Sequence, residues 1–96
     1  MKGCELITKE RQRQIEEEGW TKEHDSQHGI GVLAMAGASY ALPELWRQNI
    51  SSGILEPPFC WPFSKEWWKP TPNNRLKELI KAGALIAAEI DRLLYE

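Results

Sequence analysis

The stretch that decides the fold is NNRLKELIKAGALIAAEIDRLLY, residues 73–95. Its larger apolar residues recur every three or four positions, the spacing that places side chains along one side of an α-helix. They are Leu76, Leu79, Ile80, Ile86, Ile90, Leu93 and Leu94, with Gly83 at the same spacing. Asn73 or Asn74 is the expected N-cap, because an Asn side chain accepts hydrogen bonds from the N–H groups of a first turn. The pattern predicts one long helix over 73–95, the third in the chain.

Two shorter helices are predicted before it. Residues 5–18 contain no Gly or Pro, and their few apolar residues predict a helix that packs along one edge of the domain. Gly19 is the expected stop, since glycine readily adopts the backbone conformation that ends a helix. Residues 31–48 favour a second helix with an apolar side, and Pro43 inside it predicts a kink or a break after Tyr40.

Helices two and three share a short pattern of small residues. Ala36-Gly37-Ala38 in one matches Ala82-Gly83-Ala84 in the other. Because the distance between two helix axes depends on the side chains at their contact, small residues allow a close approach. These two helices are therefore expected to pack tightly against each other.

A long connector, residues 49–72, separates them and contains five prolines and three tryptophans. Loops of more than about 15 residues without regular structure are uncommon in compact domains and often bind ligands. The aromatic content differs from that of a solvated linker, so we expect the connector to fold back over the helices. The predicted architecture is all-α: one domain, residues 1–96, of three helices with a long Pro/Trp-rich loop between helices two and three.

The composition is ordinary for a small globular domain, with 96 residues of which 42% are hydrophobic and 27% charged. A net charge of −2 gives no basic excess, so no nucleic-acid partner is expected. No apolar run is long enough for a bilayer span or a signal-peptide core, so no membrane association is expected. Cys4 and Cys60 are expected to be reduced thiols in a cytoplasmic protein.

The chain's two histidines, His24 and His28, flank Asp25 at a spacing that would place both imidazoles on one side of a helix. One interpretation is a metal site. A second is that one imidazole packs under a Trp while the other is in solvent. A third is that neutral imidazoles and Asp25 bind a polar small molecule. All three remain open at the level of sequence.

Glu89 lies in the most apolar part of the third helix. Burial of a carboxylate is costly unless the carboxylate is paired, and Arg11, Arg13 and His24 are the candidate partners. The favoured interpretation is a structural ion pair between helices one and three. The alternative is a functional carboxylate, including a metal ligand.

Trp61-Pro62-Phe63 and Trp67-Trp68-Lys69-Pro70 bring aromatic rings into the long connector. Aromatic faces stack on nucleobases and other flat ligands, and Lys69 or Arg47 can neutralise a phosphate. The alternative is that these rings cover the Ala/Gly-rich helices as part of the core. Both interpretations can hold for different rings.

The chain resembles a family of short proteins encoded by tailed phages and prophages. The matching segments keep the same order along nearly the whole chain. They are ERQRQ at 10–14, EGWT at 18–21 with Glu23-His24-Asp25 and His28, Trp61-Pro62, WWKP at 67–70, and KAGALI at 81–86 with Ala88-Glu89-Ile90 and Arg92-Leu93. The chain departs from the pattern at 29–33, where relatives tend to carry a polar residue and Gly-Glu-Leu. The resemblance implies a phage protein acting in the host cytoplasm, with no established activity.

Two further resemblances point to nucleotides. MazG-type nucleotide pyrophosphohydrolases hold magnesium with Glu-x-x-Glu and Glu-x-x-Asp pairs, but residues 78–91 contain no clean Glu-x-x-Asp and residues 16–18 lack a second Glu at the required offset. Gly19-Trp20-Thr21, with Asp25 and His28, is similar to the Gly-Trp segment of ryanodine-receptor-type repeat domains. Those domains have been proposed as ligand-binding modules in prokaryotic conflict systems.

The leading hypothesis is a phage-encoded binding protein, without catalysis or a cofactor, that sequesters a nucleotide-type host immune signal. Tryptophans would stack on the base, the histidines would hydrogen-bond, and basic side chains would neutralise phosphate. The predicted ligand-binding residues are Arg11, Trp20, His24, Asp25, His28, Arg47, Trp67, Trp68 and Lys69. A homo-oligomer is expected, because small proteins of this kind commonly pair subunits to complete a pocket.

Two alternatives come from other classes of protein. One is a magnesium-dependent nucleotide pyrophosphohydrolase with Glu17, Asp25 and Glu89 around the metal. The other is an inhibitor of a host protein that presents the Trp-rich loop as a binding hot spot.

Overall fold

The computed structural model describes residues 1–18, 31–43, 57–71 and 73–95. Within these ranges the chain forms three α-helices and one 3₁₀ turn, with no strand. The elements are α1 (Gly3–Glu18), α2 (Val32–Ala41), the turn Lys65–Trp67 and α3 (Arg75–Tyr95). The all-α prediction is confirmed. The predicted stop at Gly19 and the predicted helical residues 44–48 lie outside the described ranges.

The start of α3 follows from its two asparagines. Asn74 is the cap, because its side-chain Oδ1 accepts a hydrogen bond of 3.1 Å from the backbone N–H of Lys77. Asn73, just before it, has a φ of 69°. This left-handed conformation is one that Asn tolerates better than most residues. Together they turn the chain into a helix that covers nearly all of the predicted range 73–95.

The core lies between α2 and α3 and is closed by one ring from the loop. It contains Leu33, Ala36 and Tyr40 of α2, Ala82, Leu85 and Ala88 of α3, and Trp68. Three of these seven residues are alanines, and Gly37 lies beside them, so the two helix backbones lie close together. The aromatic rings supply the volume that the alanines lack.

The two glycines of the shared pattern contact different helices. A Cβ on Gly37 would lie 3.0 Å from Cγ1 of Ile86 and 3.1 Å from the carbonyl oxygen of Ala82, which confirms the tight packing predicted for helices two and three. A Cβ on Gly83 would instead lie 2.5 Å from Cδ1 of Ile7 on α1. The two Ala-Gly-Ala segments therefore do not pair with each other. Gly37 allows α2 to approach α3, and Gly83 allows α1 to approach α3.

The second helix is interrupted close to the position that Pro43 predicts. It stops at Ala41, and Leu42 has an extended backbone with ψ of 136°. The residue before a proline is sterically driven to this conformation, so Pro43 produces a break and not a kink. Arg75 of α3 then caps the end of α2: its guanidinium donates to the carbonyl oxygens of Tyr40 at 3.1 Å and Leu42 at 2.8 Å, and also to that of Ala41.

Besides Ile7, the first helix packs on α3 through polar side chains. Arg11 and Gln14 are its buried residues, and Nε of Arg11 lies 3.2 Å from Oδ2 of Asp91. This ion pair joins α1 to α3. Because α1 contributes so little buried apolar surface, it lies along the edge of the α2–α3 pair, as its sequence predicts.

Gly37→Ala is expected to lower the free energy of unfolding by about 1 kcal/mol. Overpacking costs about 1–3 kcal/mol, and the better helix propensity of alanine returns about 1 kcal/mol. The backbone of Ala82 is one of the two closest neighbours and cannot rotate away. Urea unfolding measures the difference. Gly3→Ala is the matched control, since nothing lies within 4 Å of its added Cβ. A Gly37→Ala protein as stable as wild type would contradict the close approach.

Candidate functional site

Four of the predicted ligand-binding residues lie in described parts of the structure. They are Arg11 on α1 and Trp67, Trp68 and Lys69 in the loop. The other five, Trp20, His24, Asp25, His28 and Arg47, lie outside the described residues, so the three interpretations of the histidine pair stay predictions. The candidate site is therefore built from the loop, residues 57–71, and the helices beneath it.

A cluster of four aromatic rings fixes this loop on the helices. Trp68 stacks on Tyr40 with ring centroids 4.7 Å apart. Trp61 meets both edge to face, at 5.6 Å from Tyr40 and 5.0 Å from Trp68, and Phe63 lies 5.4 Å from Trp61. Such offset and edge-to-face pairs are the favoured arrangements of aromatic rings. The cluster attaches the loop to α2 at the end that Arg75 caps.

Hydrogen bonds hold the loop in place as well. The backbone N–H of Lys69 donates to Oη of Tyr40 at 3.2 Å, and Nε1 of Trp61 donates to the carbonyl oxygen of Ser64 at 3.1 Å. Sγ of Cys60 lies 3.2 Å from Oγ of Ser39 on α2. The loop is thus tied to α2 at two points, one on each side of the 3₁₀ turn.

The two neighbouring tryptophans have opposite environments. Trp68 is 8% exposed and belongs to the core, whereas Trp67 is 66% exposed. The cause is local: the 3₁₀ turn, closed by hydrogen bonds from the N–H groups of Trp67 and Trp68, sends consecutive side chains in different directions. One face of Trp68 is taken by Tyr40. Trp67 is the tryptophan of this pair whose surface is available to a ligand.

Three lysines lie on or beneath the loop that carries Trp67. Lys65 and Lys69 are exposed on either side of it. Nζ of Lys81 on α3 donates to the carbonyl oxygen of Lys69 at 3.4 Å and lies 4.7 Å from the centre of the Tyr40 ring. Burial lowers the pKa of the Lys81 ammonium below its usual value, and the carboxylate of Glu10 opposes that shift. Two exposed lysines thus flank the exposed indole along the chain, with the carboxylate of Glu66 between Lys65 and Trp67.

Lys81 was not among the predicted site residues, although the sequence contained a signal for it. It lies four residues before Leu85 and seven before Ala88, so all three share one side of α3. A lysine on the core side of a helix indicates that its side chain is partly covered by neighbouring parts of the protein. The loop that covers it could not be located from the sequence.

Glu10 and Arg13 form the charged surface of α1 next to this region. Nε of Arg13 lies 2.8 Å from Oε1 of Glu10, and this hydrogen bond is the main reason that the pKa of Glu10 is below its usual value. Arg13 also pairs with Glu17 at 3.3 Å and Glu18 at 3.1 Å. These carboxylates at the end of α1 are stabilised by one guanidinium.

Arg11 and Glu89 are both engaged in ion pairs, but not with each other. Arg11 pairs with Asp91, and Oε1 of Glu89 lies 2.7 Å from Nε of Arg92 on the same helix. The expected partners of Glu89 on helix one are therefore replaced by Arg92. The tie between α1 and α3 exists, with Asp91 as the carboxylate that makes it.

Among the described residues, no group of three or more His, Cys, Asp or Glu side chains is placed to hold a metal ion. Of the three residues considered for a magnesium site, Glu17 is paired with Arg13, Glu89 is paired with Arg92, and Asp25 lies outside the described residues. None of the described helices is long and apolar enough to cross a bilayer.

Comparisons with protein-family models, curated proteins and solved structures give no match for this chain. The resemblances to phage proteins, MazG-type enzymes and ryanodine-receptor-type repeats therefore stay predictions. The chemistry of the site rests on its residues alone.

Proposed function

We propose that this protein binds a flat, anionic small molecule of nucleotide type and does not transform it. The observation that carries the proposal is the exposed indole of Trp67, held on a well-tied loop between Lys65 and Lys69. The indole would stack on the base, and the lysines would neutralise phosphate groups. Both contacts are ones that this combination of side chains makes well.

The first support is that the fold holds Trp67 in its exposed position. Its neighbour Trp68 is fixed by Tyr40 and Trp61. The backbone N–H of Trp67 donates to the carbonyl oxygen of Ser64 at 3.0 Å. Because the loop backbone is already in place, little backbone entropy is lost when a ligand binds. Stacking of one base on an aromatic side chain contributes about 1–3 kcal/mol.

The second support is charge. The loop carries Lys65 and Lys69 against one carboxylate, Glu66, and Lys81 of α3 donates to the carbonyl oxygen of Lys69. Lys81 is desolvated, and an anion placed near its ammonium would meet less screening than at an open surface. Two or three lysines fit a small anionic ligand better than a nucleic acid, which requires an extended basic surface.

The biological use that we propose follows from the resemblance to phage proteins. A phage protein that binds a nucleotide-type host immune signal keeps that signal from the defence effectors. This function needs affinity and abundance, and it needs no catalytic group, metal or cofactor. It is exercised in the cytoplasm of the host.

Trp67→Ala is expected to weaken ligand binding by about 5- to 150-fold, because it removes the base-stacking contribution of about 1–3 kcal/mol. Isothermal titration of adenosine and guanosine mono- and triphosphates and of cyclic dinucleotides measures the change against wild type. Phe59→Ala is the matched control, since Phe59 is another exposed aromatic residue of the same loop, at 94% exposure. Equal affinities for wild type and Trp67→Ala would contradict the assignment of Trp67 to the site.

An inhibitor of a host protein is the second candidate, and the same two exposed rings favour it. Phe59 and Trp67 are large aromatic residues of the type that dominate binding hot spots. In that case both alanine variants would lose capture of one host protein, and neither would change nucleotide binding. The Phe59→Ala control thus separates the two functions.

A further inference from the structure

The two exposed lysines of the loop lie at equal distances from Trp67 along the chain, but their surroundings differ. Lys65 lies two residues before the indole, within the 3₁₀ turn, and Lys69 lies two residues after it. From sequence position alone, a ligand stacked on Trp67 could meet either ammonium. The contacts of the two residues distinguish them.

The ammonium of Lys65 is offset by the carboxylate that follows it in the chain. Oγ of Ser64 donates to Oε2 of Glu66, which holds that carboxylate at the start of the turn. This hydrogen bond is the main reason that the pKa of Glu66 lies below its usual value, and the ammonium of Lys65 contributes to the same shift. Glu66 therefore stays ionised near Lys65, and an anionic ligand would meet both charges together. With about three residues per turn, the side chains of Lys65 and Trp67 also point about 120° apart.

The backbone of Lys69 is held from two helices. Its N–H donates to Oη of Tyr40 at 3.2 Å, and its carbonyl oxygen accepts from Nζ of Lys81 at 3.4 Å. The same ammonium lies 4.7 Å from the centre of the Tyr40 ring, within the range of a cation–π contact. Tyr40 on α2 and Lys81 on α3 therefore fix both polar backbone groups of Lys69, while its side chain stays exposed.

Lys69 also projects from the outer surface of the loop, as Trp67 does. Trp68, between them, is buried and has an extended backbone with φ of −76° and ψ of 112°. Successive side chains of an extended segment point to opposite sides, so the side chain after the buried ring points outward. Two residues of chain span at most about 7 Å. The indole and the ammonium are thus close enough to meet the base and the phosphates of one nucleotide.

We infer that Lys69 is the cation that binds the phosphate of the ligand, and that Tyr40 and Lys81 are positioning residues that hold it there. The inference rests on the proposed function, since it requires a nucleotide-type ligand stacked on Trp67. It makes Lys69 the residue that distinguishes a nucleotide from the corresponding nucleoside. Lys65 acts on the ligand only at longer range, where salt screens its charge.

Lys69→Gln is expected to weaken binding of phosphorylated ligands about 5- to 30-fold, which is about 1–2 kcal/mol at 1.4 kcal/mol per tenfold. Isothermal titration with adenosine and guanosine, as nucleosides, as triphosphates and as cyclic dinucleotides, measures the change. Nucleoside affinity should stay at the wild-type value, because stacking on Trp67 remains. Lys65→Gln, the same charge change in the same loop, should cost at most about threefold. Lys77→Gln, at an exposed position of α3, is the charge-matched control and should bind like wild type.

The outcomes separate this inference from the proposed function. Wild-type affinity in Lys69→Gln, or a loss in Lys65→Gln as large as in Lys69→Gln, would overturn the inference and leave the proposed function intact. Equal losses of nucleoside and nucleotide affinity in Lys69→Gln would also overturn it, because they would indicate damage to the stacking surface. A wild type that binds none of these compounds would overturn both.

The positioning role is tested with Tyr40→Phe, which keeps the stacked ring and removes the hydroxyl that accepts from the N–H of Lys69. Triphosphate affinity should fall about 2- to 10-fold, the range for one hydrogen bond, and nucleoside affinity should not change. In a chain that already carries Lys69→Gln, the same substitution should have almost no effect, because positioning acts through the Lys69 ammonium. Equal losses in the two backgrounds would show that Tyr40 does not act through Lys69.

Discussion

Replacing Trp68 with alanine is expected to cost about 3–5 kcal/mol, the usual range for removal of a buried aromatic side chain. Trp68 is 8% exposed, stacks on Tyr40 at 4.7 Å and contacts the edge of Trp61 at 5.0 Å. Three of the other six core residues are alanines, whose side chains are too short to fill the cavity. Because small domains have about 5–15 kcal/mol of stability in total, this change is expected to remove a large share of it.

The neighbouring tryptophan provides the control for this prediction. Trp67 is 66% exposed, and Trp67→Ala is expected to change stability by no more than about 0.5 kcal/mol. Urea unfolding followed by far-UV circular dichroism compares the two variants, and Trp68→Phe should restore part of the lost stability. Equal losses for Trp67→Ala and Trp68→Ala would mean that the loop is not attached as the structure has it.

Arg75→Ala is expected to lower the free energy of unfolding by about 2–3 kcal/mol. Hydrogen bonds to charged groups contribute about 1.5–3 kcal/mol, and this guanidinium serves three carbonyl groups at the end of α2. The same side chain places a cation 3.6 Å from the carboxylate of Glu78, which is 3% exposed. Its loss therefore affects both the helix end and a buried charge.

Two variants show whether the geometry of Arg75 matters or only its charge. Arg75→Lys keeps the charge but replaces the planar fork by a single ammonium, so about half of the loss should remain. Lys77→Ala removes an exposed cation two residues further along α3 and should be nearly neutral. Chemical denaturation measures all three. An Arg75→Lys protein as stable as wild type would show that the three carbonyl contacts contribute nothing.

The parts of the fold that depend on local patterns could be predicted from the sequence. The periodicity of 73–95 predicts α3, and the Asn pair before it predicts the cap that Asn74 provides. Pro43 predicts the interruption of helix two, because its ring restricts the residue before it. These features arise within a few residues of chain and need no knowledge of the tertiary structure.

The parts that depend on distant contacts could not be predicted in the same way. The cap on α2 comes from Arg75, more than thirty residues further along the chain. The shared glycine pattern predicts a close approach of α2 and α3, yet Gly83 contacts Ile7 of α1. Which side of α3 is buried also escaped prediction, because the large aliphatic residues indicate a core side that alanines occupy.

In the candidate site too, local features could be predicted from the sequence and tertiary contacts could not. A Trp-rich loop with lysines is evident from composition, but an irregular segment has no periodicity that separates an exposed from a buried ring. Trp67 and Trp68 are adjacent in sequence and differ only through the 3₁₀ turn that carries them. Lys81 joins the site only because the loop folds back onto α3.

The most direct test of the proposed function is mass spectrometry of the small molecules that co-purify with the protein. The protein is purified from host cells under native conditions and then denatured to release them. The proposal predicts a nucleotide-type molecule, chemically unchanged and close to one per ligand site, which Trp67→Ala protein carries in much smaller amount. Protein that carries no nucleotide-type molecule, or that yields pyrophosphate and a shortened nucleotide with magnesium present, would contradict it.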